Sequence, residues 1–205
     1  MPRIDTVIFD VGNVLLDWNP RHLYRKLFAD EERMEWFLAN ICTPAWNLEQ
    51  DRGRSFAEAV RELVARHPEW EREIRAFDER WHETIAGEIA GSIELLPQLK
   101  KKGIGLFALT NFSREKYDET FLRFPFLHEF EGIIVSGHER LLKPDAAIFR
   151  LFLDRYAREA SRCLFVDDSA RNVEGARRVG MEAVQFSDAA SLRRDLARLG
   201  LVEAS

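Results

Sequence analysis

Short apolar runs punctuate this chain, and between them lie longer stretches in which apolar residues return every third or fourth position. The runs Thr6–Asp10, Gly105–Thr110, Gly132–Ser136, Cys163–Asp167 and Ala183–Phe186 are too brief for helices and too uniformly apolar for strands with one wet face. They read as strands covered on both sides. Helical spacing fills the gaps over Arg114–Phe124, Asp145–Ala157, Ala170–Val179 and Leu192–Leu199, the last with Ser191 as its N-cap. Gly103, Gly180 and Gly200 fall where helix C-termini favour positive φ. Strands alternating with helices predict an α/β fold, a Rossmann-like three-layer core around a central parallel sheet.

One interval breaks this rhythm. Between the first strand and the second, about ninety residues from Leu16 to Lys102 contain no evident β run. Instead WNPRHLYRKLF, MEWFLANIC, FAEAVRELVARH and EREIRAFDERWHETI carry apolar residues at helical spacing. The pattern predicts an inserted α-helical cap over residues 18–91, docked above the carboxyl end of the first strand. The core would then comprise residues 1–17 and 92–205.

Composition narrows the class. The 205 residues are 46% hydrophobic and 32% charged, enough to bury a sizeable core in one domain carrying an insert. A net charge of -5 gives no electrostatic reason to expect nucleic acid or an anionic membrane as partner. The start MPRIDTVIFD does not read as a secretory signal, and no window reaches the length of a membrane span, so the expected address is cytoplasmic. A monomer or homodimer is expected. Cys42 and Cys163 lie far apart without metal-ligand spacing, which argues against a disulfide framework or a zinc site.

The chemistry gathers where the apolar runs end. Ligands of open parallel sheets bind beyond the carboxyl ends of the strands. There VIFD ends at Asp10, LFALTN at Thr110 and Asn111, IIVSG at Ser136, and CLFVDD at Asp167 and Asp168. Carboxylates brought to one edge repel unless a cation joins them, and a hard divalent ion with oxygen ligands, Mg2+, suits the set. Lys143 in LLKPD brings a positive charge to the same edge, able to hold a phosphate and restrain a nucleophilic carboxylate. Singly, each residue is an ordinary turn or cap residue. Turns do not explain the ordered set.

That order, FDVGNVL, LTN, KP and VDDSARNVEGA, resembles the four motifs of the haloacid dehalogenase-like hydrolases from Asp10 to Gly180. The resemblance implies Asp10 as the nucleophile that forms an aspartyl-phosphate, with Thr110 and Asn111 bonding the phosphoryl group and Lys143 offsetting charge. It further implies Mg2+ between Asp10, the backbone carbonyl of Gly12 and Asp168, with Asp167 nearby or acting through water and Asn172 steadying the loop.

The chain departs from the pattern at one position. Most phosphatases of this family carry a second aspartate two residues after the nucleophile, acting first as general acid and then as base. Gly12 stands there instead, so the backbone contact to metal survives and the proton donor does not. Asp17 is near enough in sequence to reach in from the cap hinge, with an ordinary exposed carboxylate as the alternative. The D-x-G-N-V variant resembles bacterial phosphatases of sugar 1-phosphates such as α-glucose 1-phosphate, implying a small phosphorylated metabolite as substrate. A 2-haloacid dehalogenase, with the same nucleophile and no metal, is the enzymatic alternative, and Asp167-Asp168 argues against it. A catalytically weakened binding protein is a third reading, opposed by the retained Asp10, Thr110-Asn111, Lys143 and Asp168.

In this family the insert selects the substrate. Candidates are Trp18 and Asn19 at the hinge, Phe112 beside Asn111, and Trp46, Glu49 and Arg52 in TPAWNLEQDRGRSF, which reads as a loop between cap helices. Trp46 could stack on a sugar face and Arg52 could contact a polar group, with a core aromatic and a surface charge as the ordinary alternatives. Trp36, Trp70 and Trp81 are expected to build the cap core. No histidine is assigned to catalysis.

Overall fold

The computed structural model describes residues 4–203. The chain opens with β1 (Thr6–Phe9) and a short β2 (Leu16–Trp18). Five helices follow: α1 (Pro20–Tyr24), α2 (Glu31–Asn40), α3 (Pro44–Asp51), α4 (Phe56–Arg66) and α5 (Glu71–Glu79). Then β3 (Ile85–Glu88) returns antiparallel to β2. After α6 (Ala90–Ile93) and α7 (Leu96–Lys101), strands and helices alternate: β4 (Gly105–Thr110), α8 (Arg114–Arg123), β5 (Gly132–Val135), α9 (Ser136–Glu139) and α10 (Ala146–Arg155). The series closes with β6 (Cys163–Asp167), α11 (Ala170–Arg178), β7 (Glu182–Gln185) and α12 (Ala189–Arg198).

Five strands form one parallel sheet in the order β5-β4-β1-β6-β7. Every residue of β1, β4 and β6 is buried, as their unbroken apolar character requires of strands covered on both faces. The pleat divides their side chains between two apolar layers. Ile8, Phe107 and Phe165 pack with Phe149 and Phe152 of α10, while Val7 and Phe9 join a larger cluster that runs into the insert. Because β1 is central and registers Phe9 with Ala108 and Val166, Asp10 emerges between the ends of β4 and β6.

The insert has its own aromatic packing, with ring centroids 5.0 Å apart for Tyr24–Phe37 and 5.3 Å for Trp46–Phe77. Trp70 packs in this group, but Trp36 differs from expectation: it is 51% exposed and only leans on Trp70.

Three other expectations are corrected. The interval after β1 does contain strands, because β2 and β3 satisfy one another's backbone where the chain enters and leaves the insert. Neither is long enough to show alternation by itself. The stretch read as a loop around Trp46 is helix α3, started by Thr43, whose side chain accepts the Trp46 N–H, with Pro44 in the first turn. Finally, α12 starts three residues earlier than expected: its N-cap is Asp188, and Ser191 donates its backbone N–H to that carboxylate.

Candidate active site

Asp10 follows β1 directly and is 8% exposed, its Oδ1 accepting the N–H of Val11 at 2.7 Å. The Lys143 ammonium, fully buried, lies 3.0 Å from Asp10 Oδ1 and 2.7 Å from Asp167 Oδ2. Asn111 holds the lysine's backbone at both ends: Asn111 Nδ2 donates to the Lys143 carbonyl at 3.1 Å, and Lys143 N donates to Asn111 Oδ1 at 2.9 Å. Thr110, at the end of β4, has a buried hydroxyl without a hydrogen-bond partner. A buried hydroxyl without a partner costs stability unless water or a ligand meets it, and this one lies at the strand end next to that of the nucleophile.

Asp167 is heavily engaged. Besides Lys143 it accepts the Ser169 N–H at 2.8 Å and both its oxygens accept from Asn172 Nδ2, at 3.0 and 3.1 Å. Asp168 is half-buried and is approached by the side chain of Asn13. Asn13 itself stands at a φ of 57°, in the left-handed region that asparagine tolerates, and its Oδ1 accepts the Trp18 N–H at 3.1 Å. One residue thereby links β2 to Asp168.

Oxygen atoms of Asp10, Asp167 and Asp168 lie within 4.8 Å of one another. Burial pushes the Asp10 carboxyl up to about 7 against the opposing Lys143, with Asp167 and Asp168 adding to the rise. Burial and then Asp167 also raise Asp168. Burial disfavours the Lys143 charge, but Asp10 and Asp167 together hold its pKa above the ordinary value. Such a site carries more negative charge than one ammonium offsets. Three crowded carboxylate donors fit a hard divalent cation such as Mg2+.

Beyond the carboxylates lies a small cavity of about 100 Å³, where Gly12, Asn111 and Phe112 of the core meet Trp18, Asn47, Asp51 and Trp81. A larger cavity of about 410 Å³ shares Trp18 and Asn47 with it and is walled by Leu38, Ala39, Pro44 and Phe77, with Arg21 and Glu35 at its edge. A groove of about 790 Å³ between α6 and α12 is lined by none of the candidate site residues.

Trp18 and Phe112 thus line the inner cavity, and Phe112 also packs against Trp81 at 5.1 Å. Trp46 and Arg52 do not. Trp46 is 7% exposed and packed against Phe56 and Phe77, because the helix that carries it turns it into the aromatic core of the insert. Arg52 lies at the C-terminus of that helix, its side chain 52% exposed and 3.6 Å from Glu49, which is exposed with it. Asn19 serves as the N-cap of α1. Asp17 is 52% exposed in its side chain, bonded to His22, and lines neither cavity. Residues not anticipated are Asn13, Asn47, Asp51 and Trp81. Thr43-Pro44 was the available signal for two of them, since it starts a helix on which Asn47 and Asp51, four apart, share a face.

A family profile of haloacid dehalogenase-like hydrolases matches residues 4–180, and the chain belongs to that family. A sesquiterpene phosphatase of Aspergillus oryzae is 25% identical over 193 residues, 94% of each chain. A glyceraldehyde 3-phosphate phosphatase of Pyrococcus abyssi is 32% identical over 196 residues, 89% of this chain and 81% of the relative. A HAD family enzyme of Bacteroides thetaiotaomicron, crystallised with magnesium and inorganic phosphate, shares the fold with a TM-score of 0.69 and 19% identity, over 90% of this chain and 95% of that one. The protein is a hydrolase of this family. The two sequence relatives named are phosphatases, and a dehalogenase shares the fold as well, with a TM-score of 0.68 and 15% identity over 91% of this chain and 86% of that one.

Proposed function

We propose that the protein is a Mg2+-dependent phosphatase that hydrolyses a small phosphorylated metabolite through an aspartyl-phosphate on Asp10. The observation that carries this reading is the meeting of Asp10, Asp167 and Asp168 around one point, with Lys143 beside them and the orphaned Thr110 hydroxyl at the next strand end. Asp10 and Asp168, with the Gly12 carbonyl, would hold the ion. When bound, it supplies positive charge to the phosphoryl oxygens. The engagement of Asp167 with Lys143, Ser169 and Asn172 supports a role one layer out from the metal, with Asn172 bracing it.

The chain's own groups do the rest. Lys143 keeps the Asp10 carboxylate oriented and balances charge as the phosphoryl group transfers to it. Thr110 and Asn111 donate to the phosphoryl oxygens. The helical segment of residues 18–91 acts as the cap over this site, with Trp18 and Phe112 forming walls against the organic part of the substrate and excluding water during the first transfer.

Two adjacent acids at the end of β6 without a cation would repel a haloacid's carboxylate, which disfavours the dehalogenase reading. Loss of catalysis is opposed by the intact Asp10–Lys143–Asp167 arrangement. The test is a panel of sugar phosphates, triose phosphates, isoprenyl monophosphates and 2-haloacids, assayed with Mg2+ and with chelator. Phosphate release that chelator stops and Asp10→Asn abolishes is expected. Halide release insensitive to chelator would replace the phosphatase reading with the dehalogenase one.

A further inference from the structure

We propose that Asp51, carried to the site on the last turn of α3, donates the proton to the leaving group and then serves as base for the hydrolytic water, the task left open by Gly12. This rests on the phosphatase reading above.

The geometry has three parts. First, the space is there: a Cβ built on Gly12 meets no atom within 4 Å, and Asp51 lines the same cavity as Gly12 and Asn111. The insert thus contributes a carboxyl-bearing residue to the wall of the cavity that a side chain two residues after the nucleophile would border. Second, the carboxyl is held. The N–H of Ser113, in the loop that follows Thr110 and Asn111, is directed at it, and Asn47 Nδ2 lies 3.4 Å from its Oδ2. The main chain is fastened too, with Ser136 Oγ donating to the Asp51 carbonyl at 2.6 Å. Third, the other nearby carboxylate, Asp17, is engaged with His22 outside the cavity.

The charged surroundings suit a proton donor. On α3 itself, Arg52 and Glu49 pair with each other. On α9, which packs against α3, His138 pairs with Asp118 and Glu139 with Arg155, while Arg140 lies against Gly53. The charge that reaches Asp51 is Lys143, which opposes protonation together with the Ser113 N–H. Burial outweighs both and pushes the carboxyl up to about 7. The residue is half-buried and lines the cavity. A group titrating there is half protonated near neutrality, the condition in which one carboxyl can first give a proton and then take one.

The steps balance. An Asp10 oxygen attacks phosphorus, the bond from phosphorus to the ester oxygen breaks, and the Asp51 proton passes to that oxygen to release an alcohol. The Asp51 carboxylate then takes a proton from water as its oxygen attacks the aspartyl-phosphate. The bond from phosphorus to Asp10 breaks, its electron pair returning to the carboxylate, and phosphate leaves.

The probe pair is p-nitrophenyl phosphate, whose leaving group departs unaided, and phenyl phosphate, whose leaving group needs a proton. Both are measured with the full chain and Mg2+ in single turnover. Asp51→Asn should slow transfer from phenyl phosphate about 10²–10⁴-fold more than transfer from p-nitrophenyl phosphate. A residue that only latched the cap would affect both alike, and equal losses, or no loss, overturn the proposal. A second reading needs no variant: in the wild type, kcat/KM for phenyl phosphate should fall above about 7 while that for p-nitrophenyl phosphate does not, and matching alkaline limbs also overturn it. If the wild type releases phosphate from neither of these esters nor from any phosphate of the panel above, the phosphatase reading itself has failed; if it releases phosphate and only the contrast is missing, the assignment of Asp51 alone is lost.

Discussion

Lys143→Met removes the one cation buried among the site's carboxylates, and its cost can be worked from the distances. The ammonium lies 3.0 Å from Asp10 and 2.7 Å from Asp167, with the lysine side chain fully buried. Without it, carboxylate oxygens that approach within 4.8 Å face one another uncompensated. Two unit charges at that separation repel by roughly 3 kcal/mol at an effective dielectric of about 20. Deleting one partner of a buried pair costs about 3–5 kcal/mol by another route, so both arguments give the same scale. Methionine fills most of the lysine's volume, which keeps the cavity contribution small. Proton uptake by Asp10, already held near 7, sets the low end of the range at neutral pH. Urea unfolding followed by circular dichroism, in chelator at fixed pH, should therefore show a loss of about 3–5 kcal/mol. Repeating the titration in excess Mg2+ should return part of it, because a cation that binds the folded state restores the balance of charge. A loss below about 1 kcal/mol in chelator, the range of an exposed pair, would mean that Lys143 does not hold the carboxylates together as described.

Two further measurements address the cap and the missing acid. Trp46→Ala should cost about 3–5 kcal/mol in stability through lost packing against Phe56 and Phe77, while Arg52→Ala should change stability by no more than about 0.5 kcal/mol. A large kcat/KM loss in Arg52→Ala with unchanged stability would return that side chain to the substrate site. Gly12→Asp has room for its side chain, so adding it to Asp51→Asn should recover at least about tenfold of the phenyl phosphate rate lost by the single variant, read in the same single-turnover assay. A double variant as slow as Asp51→Asn would show that a carboxyl at position 12 cannot reach the leaving group.

Much of the molecule is legible along the chain because it is built from local patterns. The apolar runs ending at Asp10, Thr110 and Asp167 define the three inner strands of the parallel sheet, and burial on both faces is what makes them conspicuous. Strand ends are also where such sheets bind ligands, so Asp10, Thr110, Asn111, Asp167 and Asp168 could be singled out by position. Lys143 belonged to the same reading, but its contact with both Asp10 and Asp167 joins three separate segments, and no spacing encodes that.

What escaped the sequence was decided by packing between distant segments. The strands β2 and β3 exist because the two ends of the insert leave the core side by side, each supplying the other's hydrogen bonds. Trp46 and Asp51 lie five residues apart on α3, yet one turns into the aromatic core of the insert and the other lines the cavity at Gly12. Helical rotation alone separates their fates, and which face meets which neighbour is fixed only when the insert packs against the core. The sequence by itself determined the strands of the parallel sheet, the polar residues at their ends and the missing carboxyl at position 12. The tertiary structure decided which residue of the insert faces that gap, because burial and proximity, which set a carboxyl's proton affinity, are properties of the packed chain rather than of its order.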